Sequence, residues 1–121
     1  MKVNVTHSNS LAASEALAAM NAEAPRVSLK SMEDKIVASN YFTIGEAVAA
    51  LSQPTSEELN IITVCVLRME NGFVLLGKSA PASAANFDPV KGQTFAYEDA
   101  INQLWTLEGY LLKTKLFANK G

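Results

Sequence analysis

One stretch, residues 60–117, constrains the fold more than any other part of the chain. Asn71-Gly72 separates two apolar runs that are rich in β-branched residues, at 61–67 and 73–76. An Asn-Gly pair in this setting is the strongest short-range signal for a β-hairpin, and both residues tolerate the positive φ angles of a type I′ turn. A long helix is predicted from about Thr94 to Leu116, where apolar residues recur at helical spacing. The pattern predicts an α+β fold in which this helix packs on an antiparallel hairpin.

The residues before the hairpin are predicted to form three short helices. A capping box, Thr43-x-x-Glu46, starts one of them. Met1 to Asn9 is short and polar, and the alternation of Val3 and Val5 is compatible with an edge strand or a disordered start. The predicted helices are Leu11–Met20 with Ser10 as N-cap, Met32–Ser39 with Ser31 as N-cap, and Ile44–Leu51. We expect a single domain, 1–121, with a helical N-terminal part, 1–55, and a hairpin-loop-helix core, 56–121.

The first hairpin strand and the last helix are apolar on more than one side. The strand alternates between two apolar sets, which are Ile62, Val64 and Val66 on one side and Ile61, Cys65 and Leu67 on the other. Such a strand is typical of a sheet that is covered on both faces. Charged residues make up 18% of the chain, below the usual quarter. We therefore expect the protein to self-associate as a dimer or a higher symmetric oligomer such as a hexamer.

Charge and cysteine content exclude several classes of function. The net charge is −2, so no strong positive field attracts a nucleic acid polymer. No apolar run reaches the length of a membrane span, and the N-terminus lacks the basic and apolar regions of a secretory signal. The single cysteine, Cys65, permits no disulfide within the chain and is typical of a reduced intracellular setting. We expect neither a membrane nor a nucleic acid as partner.

No catalytic or metal-binding constellation is visible in the sequence. The one histidine is His7, and a metal site needs several ligands at a recognisable spacing. Cys65 lies within a predicted strand, where a buried thiol without a neighbouring base is inert. Neither standard Gly-rich phosphate loop is present. We expect a protein that is not an enzyme and that needs no cofactor and no metal.

The segment Ser79–Gly92 is too long for a plain connection, and long loops often carry binding sites. It offers an aromatic ring, an amide and a cation in Phe87, Asn86 and Lys91, which suit a nucleobase and a phosphate. The alternative is a structured turn, in which Phe87 anchors the loop and Asn86 or Asp88 caps backbone groups. Residue types alone favour the structured turn, because a Phe in a loop mostly serves as its anchor.

A series of short motifs in a fixed order resembles a known family. The series covers roughly residues 32–116 and runs through a helix, a hairpin, a loop and a second helix. The motifs are Tyr41-Phe42-Thr43, Val64-Cys65-Val66-Leu67, Asn71-Gly72-Phe73, Asn86-Phe87-Asp88, Gly92, Ala96, Ala100, Trp105 and Gly109-Tyr110. Together they resemble the small tailed-phage proteins of the gp forty-nine-like family. The resemblance implies a phage or prophage origin and thus the cytoplasm of an infected bacterium.

The layout is also similar to that of the Thoeris anti-defence proteins of phages. Those proteins bind cyclic ADP-ribose-type signals, some also bind cyclic di- or trinucleotides, and they sequester the signal without cleaving it. The similarity implies a sponge for cyclic nucleotide immune signals, in which Phe87 would stack on a base. The other expected ligand-binding residues are Asn86, Gln93 and Asn102 for base or ribose edges, and Lys91, Lys113 and Arg26 for phosphates. The alternative is a phage structural or accessory interaction protein with no small ligand.

The chain departs from the family pattern at two places. Family members usually carry basic residues early in the last helix, where this chain has Gln93, Thr94 and Tyr97. An acidic residue is usual in the loop, where this chain has only alanine and serine at 82–85. One chain therefore offers few cations to a phosphate, and we expect some of them to come from a neighbouring subunit.

Overall fold

The computed structural model describes residues 7–20 and 24–120, which form five helices and one three-stranded sheet. The elements are, in chain order, α1 (Asn9–Met20), α2 (Leu29–Glu33), β1 (Ile36–Thr43), α3 (Ile44–Ala50), α4 (Glu57–Asn60), β2 (Thr63–Met69), β3 (Val74–Ser79) and α5 (Pro89–Ala118). A 3₁₀ turn, Ala84–Asn86, precedes α5. The predicted α+β class is confirmed, since short helices precede an antiparallel sheet and a long C-terminal helix packs against it. The edge strand considered for Val3 and Val5 lies outside the described residues.

The sheet is antiparallel throughout, and β2 lies between β1 and β3. Tyr41, Cys65 and Gly77 lie opposite one another in a row across the three strands. Residues directly opposite each other in an antiparallel sheet point to the same face. Cys65 is fully buried, and a Cβ on Gly77 would meet the backbone of α5. This row therefore points towards α5.

The hydrophobic core lies between this face of the sheet and the first half of α5. The helix contributes its buried side chains Ala96, Tyr97, Ala100, Ile101 and Leu104. Met32 and Ile36, which are also fully buried, belong to the same cluster. The Tyr97 hydroxyl donates a hydrogen bond to Glu33 Oε2 at 2.6 Å. A buried tyrosine needs such a partner for its hydroxyl, so this bond helps to fix α2 against α5.

Polar side chains of α5 bind the outer edge of β3. The backbone N–H of Lys78 donates to Asp99 Oδ2 at 2.9 Å, and Gln103 Nε2 donates to the Leu76 carbonyl at 2.7 Å. Unpaired backbone groups at a sheet edge are a template for pairing with another chain. The helix therefore covers the sheet and also occupies backbone groups along this edge.

The predicted helix Met32–Ser39 is wrong, because most of this segment is strand β1. The helix at this point spans little more than one turn and begins after Ser28 instead of Ser31. The Ser28 hydroxyl accepts a hydrogen bond from the Ser31 N–H at 3.1 Å, which makes Ser28 the N-cap. The β-branched and aromatic residues of 36–43 favour a strand, and pairing with β2 outweighs the helical spacing. The N-terminal part of the chain is therefore not helical throughout.

The other two predicted N-terminal helices are present. The N-cap of α1 is Ser8 instead of Ser10, since the Ser8 hydroxyl accepts a hydrogen bond from the Leu11 N–H at 3.2 Å. The capping box of α3 is confirmed. The Thr43 hydroxyl accepts from the Glu46 N–H at 3.1 Å, and Glu46 Oε1 accepts from the Thr43 N–H at 2.7 Å.

The hairpin at Asn71-Gly72 is confirmed, but its turn is not type I′. Gly72 has a φ of +89°, whereas the φ of Asn71 is negative. The Gly72 N–H donates to the Met69 carbonyl at 2.9 Å, which makes Glu70 and Asn71 the central residues of a type I turn. Gly72 then lies in the left-handed region, the usual form of a three-residue hairpin loop. Asn71 contributes its side chain instead, because its Oδ1 accepts the Phe73 N–H at 3.0 Å.

Replacing Gly72 with valine is expected to lower the free energy of unfolding by about 1–3 kcal/mol, the usual cost of a strained backbone conformation. A Cβ at this position would have no heavy atom within 4 Å. The loss of stability would therefore come from backbone strain and not from a steric clash. Gly72→Asn is the matched control and should retain most of the stability, since asparagine tolerates positive φ. Chemical denaturation of the three proteins checks this, and equal stability of the valine variant would contradict it.

The sheet face opposite α5 is apolar and partly exposed. Val66 lies opposite Leu76 on this face, and Leu76 is 60% exposed. Val74, two residues before Leu76, is half-exposed on the same face. The sequence predicts that β2 is covered on both faces. Among the described elements, a long helix covers only the face towards α5.

Candidate ligand-binding site

The segment between β3 and α5 is held by side-chain caps. Asp88 Oδ1 accepts hydrogen bonds from the Val90 N–H at 2.9 Å and from the Lys91 N–H at 3.2 Å. Pro89 follows at the first helical position, where its missing N–H has no cost. These two signals start α5 before the predicted Thr94, so Lys91 lies on the helix. The predicted cap at Asp88 is confirmed.

Phe87 is fixed at the junction between this segment and α5. Its N–H donates to the Ala84 carbonyl at 3.1 Å. The Ser79 hydroxyl donates to the Gly92 carbonyl at 2.8 Å, which ties the end of β3 to the first turn of the helix. The absence of a side chain at Gly92 matters, because a Cβ there would lie 3.6 Å from the Phe87 ring and 2.6 Å from the Thr63 hydroxyl. The Phe87 ring is half-buried and lines two clefts.

The smaller cleft has a volume of about 170 Å³ and brings three of the predicted residues together. Asn86, Phe87 and Lys91 line it beside the end of β3. Lys91 is exposed and is the one cation that lines either of the two clefts in the described part of the chain. Asp88 and Phe95 line the same cleft, so it offers two aromatic rings, an amide, an ammonium group and a carboxylate within one small volume.

The larger cleft has a volume of about 420 Å³ and lies on the other side of Phe87. Of the predicted residues, Phe87 and Gln93 line it. Its further lining residues are Tyr41, Phe42, Thr43, Glu46, Asn60, Thr63 and Pro89. The cleft therefore combines aromatic rings with two amides and two threonine hydroxyls. This volume lies within the range of about 300–1,000 Å³ that small-molecule sites occupy.

Sequence analysis does not place Tyr41, Phe42 or Asn60 at this site. The reason is that it assigns the segment up to Ser39 to a helix, so nothing brings β1 beside the loop. The signal that identifies the strand is the run Tyr41-Phe42-Thr43, whose residue types favour strands. Once β1 pairs with β2, Thr43 lies opposite Thr63, at the end of the sheet next to Phe87 and Pro89.

Arg26 lies elsewhere and already has a partner. Its guanidinium binds both carboxylate oxygens of Glu15 at 3.0 Å each. This hydrogen-bonded pair lowers the pKa of the Glu15 carboxyl and raises the pKa of the Arg26 guanidinium. Arg26 lines a separate cleft of about 190 Å³, together with Lys35 and Lys115. The structure therefore does not bring Arg26 to Phe87 within one chain.

Asn102 and Lys113 are exposed on α5 and line none of the four clefts described. Lys113 follows Lys91 on the same helix, at a distance of about 33 Å along the axis. One small ligand cannot contact both lysines of a single chain. A contribution from Asn102, Lys113 or Arg26 to this site stays a prediction that requires a neighbouring subunit.

The other candidates for chemistry lie apart from the two clefts. His7 is exposed, and its Nε2 lies 2.8 Å from Asn9 Oδ1. Cys65 is fully buried in the core, as predicted. Within residues 7–20 and 24–120, no group of three or more histidine, cysteine or acidic side chains could hold a metal ion.

Burial raises the pKa of the Cys65 thiol from 9.0 to about 11. We expect the folded protein to be unreactive towards a thiol reagent at pH 8, whereas the unfolded chain should release one equivalent of product per chain. The Cys65 thiol loses its proton at a higher pH in the folded state than in the unfolded state. The free energy of unfolding therefore falls as the pH rises from about 9 towards 11. The decline should be shallower in Cys65→Ala between pH 9 and 10. A native thiol that reacts as fast as the unfolded one would contradict the assignment.

The chain matches one family model over most of its length. Residues 27–116 match the model described as Phage protein (N4 Gp49/phage Sf6 gene 66) family. The matched range contains α2, the whole sheet, both clefts and most of α5. Neither a curated protein nor a solved structure matches the chain. None of the helices in the described ranges combines the length and the apolar character that a bilayer crossing requires.

Proposed function

We propose that this chain, which belongs to the N4 Gp49/phage Sf6 gene 66 family of phage proteins, is an anti-defence protein. Its proposed role is to sequester a cyclic nucleotide signal. It would act in the cytoplasm of the infected bacterium and bind the signal without cleaving it. The observation that supports this most is the position of Phe87, whose ring lines both clefts. A planar ring that borders a mixed cleft on one side and a small cleft with one lysine on the other suits a ligand that has a base and a phosphate.

The larger cleft would hold the base and its ribose. A nucleobase of any kind can stack on an aromatic ring, and each stacked base contributes about 1–3 kcal/mol to the binding free energy. The amides of Asn60 and Gln93 line the same cleft. Each amide offers two donors and an acceptor, which is the combination that base and ribose edges require.

The smaller cleft would hold a phosphate through Lys91. The N–H groups of the first turn of α5 are not available for this role, since Asp88 already accepts hydrogen bonds from two of them. One ammonium group is a weak site for a phosphate, because the Asp88 carboxylate lines the same cleft. A cation from a neighbouring subunit, such as Lys113 or Arg26, would complete it.

The groups around the larger cleft favour retention of the ligand over cleavage. Cleavage needs an activated nucleophile, and a base beside a hydroxyl is the simplest means of activation. The carboxylate of Glu46 accepts a hydrogen bond from the Thr43 N–H, and the Thr43 hydroxyl accepts one from the Glu46 N–H. These groups are committed to the cap of α3, so they support a site that has affinity but no activated water.

Calorimetry and thermal unfolding with a panel of ligands test the proposal. The panel consists of cyclic ADP-ribose isomers and cyclic di- and trinucleotides, with linear ADP-ribose and AMP as controls. We expect at least one cyclic compound to give saturable heat and to raise the melting temperature by mass action. No heat and no thermal shift across the whole panel would contradict the proposal.

A structural or accessory interaction protein of the phage is the second candidate. The observation that favours it is the exposed apolar surface, which includes Leu76 on the open sheet face and Phe117 at the end of α5. Surfaces of this kind often bind other proteins. The ligand panel separates the two candidates, because an interaction protein would bind none of the compounds.

A further inference from the structure

The second half of α5 extends beyond the sheet. The buried residues of this helix end at Leu104, whereas the helix continues to Ala118. Residues 105–118 therefore add about 20 Å of helix at 1.5 Å per residue. One side of this extension faces the segment around Val27, and the Glu108–Lys35 ion pair, 2.6 Å long, lies between this side and the next. The remaining side carries exposed apolar residues.

An apolar groove of about 410 Å³ runs along that remaining side. Leu104, Leu107 and Leu111 of α5 line it, and the hairpin contributes Met69 and Phe73. Leu107, Leu111 and Phe73 are each about half-exposed. The groove is therefore a preformed apolar surface between the helix extension and the hairpin turn.

The helical side of the groove has the spacing of a coiled-coil seam. Leu104, Leu107, Leu111 and Thr114 follow one another at intervals of three and four residues, the spacing at which two helices interdigitate their side chains. The alternation would place Ala118 next, and Phe117 flanks the seam on the side of Tyr110, where it is 78% exposed. We propose that the groove binds a second copy of this chain, whose α5 lies antiparallel so that its Phe117 enters the groove beside Leu107.

The surface available suits a symmetric dimer. A twofold axis on the groove side of α5, level with Leu111, would place each Phe117 in the groove of the other copy, so the same contact occurs twice. Tyr110 and Phe117 are 77% and 78% exposed, and covering both would bury on the order of 300 Å² per copy. Phe73, Leu107 and Leu111 add to this area, towards the ~800 Å² that one partner contributes to a standard interface.

Charge complementarity also favours a second copy as the occupant. Three charged residues line the groove: Lys35 and Glu108 bind each other, and Glu70 is exposed beside Met69. Lys120 follows Phe117 by three residues, so the antiparallel arrangement that places Phe117 beside Leu107 brings Lys120 of the other copy towards Glu70. The end of the helix that enters the groove would therefore bring a lysine to the exposed carboxylate of Glu70. This proposal is independent of ligand binding and can be tested without a ligand.

Light scattering during gel filtration at micromolar concentration tests the proposal. We expect a mass of about twice 13.0 kDa for the unmodified protein and a shift to the monomer for Phe117→Asp. Phe117 is exposed, so this variant should keep its circular dichroism spectrum. Leu51→Asp is the matched control, since Leu51 is an exposed apolar residue outside the groove, and it should remain dimeric.

A charge reversal identifies the occupant. Glu70→Lys should weaken the dimer at least severalfold, and the double variant Glu70→Lys/Lys120→Glu should restore it. A monomeric unmodified protein would overturn the proposal, as would a dimer that Phe117→Asp leaves intact. The latter result would indicate that another surface, such as the open sheet face, joins the copies.

Discussion

The Gly77→Ala variant is expected to be the least stable single-methyl variant of this protein. A Cβ at Gly77 would lie 2.1 Å from the Ala96 carbonyl oxygen and 2.6 Å from the Ala100 nitrogen. Both atoms belong to the backbone of α5, so no side-chain rotation relieves the clash and the helix must move away from β3. We expect a loss of at least about 3 kcal/mol, the upper end of ordinary overpacking, and a melting temperature lower by roughly 10 °C or more.

Gly109→Ala is the matched control for this substitution. Gly109 lies within α5, and a Cβ there would have no heavy atom within 4 Å. Alanine in the interior of a helix is more stable than glycine by about 0.5–1 kcal/mol, so this variant should melt slightly above the unmodified protein. An unchanged melting temperature of Gly77→Ala would show that α5 does not contact β3 at this point.

Phe87→Ala is expected to reduce affinity for the best ligand of the panel by roughly fivefold to 150-fold, since base stacking contributes about 1–3 kcal/mol. The ring is half-buried, and Asp88 caps the helix through its own side chain, so the fold should persist. Calorimetric titration gives the affinity, and circular dichroism confirms that the variant is folded.

Val90→Ala is the control for Phe87→Ala. Val90 is exposed in the first turn of α5, three residues after Phe87, and lines neither cleft, so its replacement by alanine should leave the affinity unchanged. Equal affinity of Phe87→Ala and the unmodified protein would exclude stacking on this ring. Equal losses in both variants would indicate that the substitutions perturb the helix start instead of a ligand contact.

Much of the fold could be predicted because local signals and tertiary packing agree. The Asn71-Gly72 hairpin, the capping box at Thr43 and the long final helix each have a pattern that the structure retains. The strand β1 was missed because Met32, Ile36 and Val37 also fit a helical face, and only pairing with β2 decides between the two. The turn type was missed because Asn71 serves through its side-chain oxygen, which depends on the position of Phe73.

The candidate site could be predicted only where its residues are close in sequence. Asn86, Phe87, Lys91 and Gln93 line the two clefts because one helix start carries them. Tyr41 and Asn60 lie at the larger cleft only because β1 pairs with β2. No local sequence pattern predicts that pairing. Arg26 was predicted from its charge, and a charge alone does not reveal that Glu15 already binds it.

Recovery of intact ligand from the protein tests the central claim most directly. The protein is incubated with the cyclic compound that binds best, separated from unbound ligand by filtration, and then denatured, and the released compound is identified by mass spectrometry. We predict that the protein fraction releases the cyclic compound unchanged, at a fixed molar ratio of compound to protein chain. Release of a linear or hydrolysed product, or no nucleotide in the protein fraction, would contradict sequestration without cleavage.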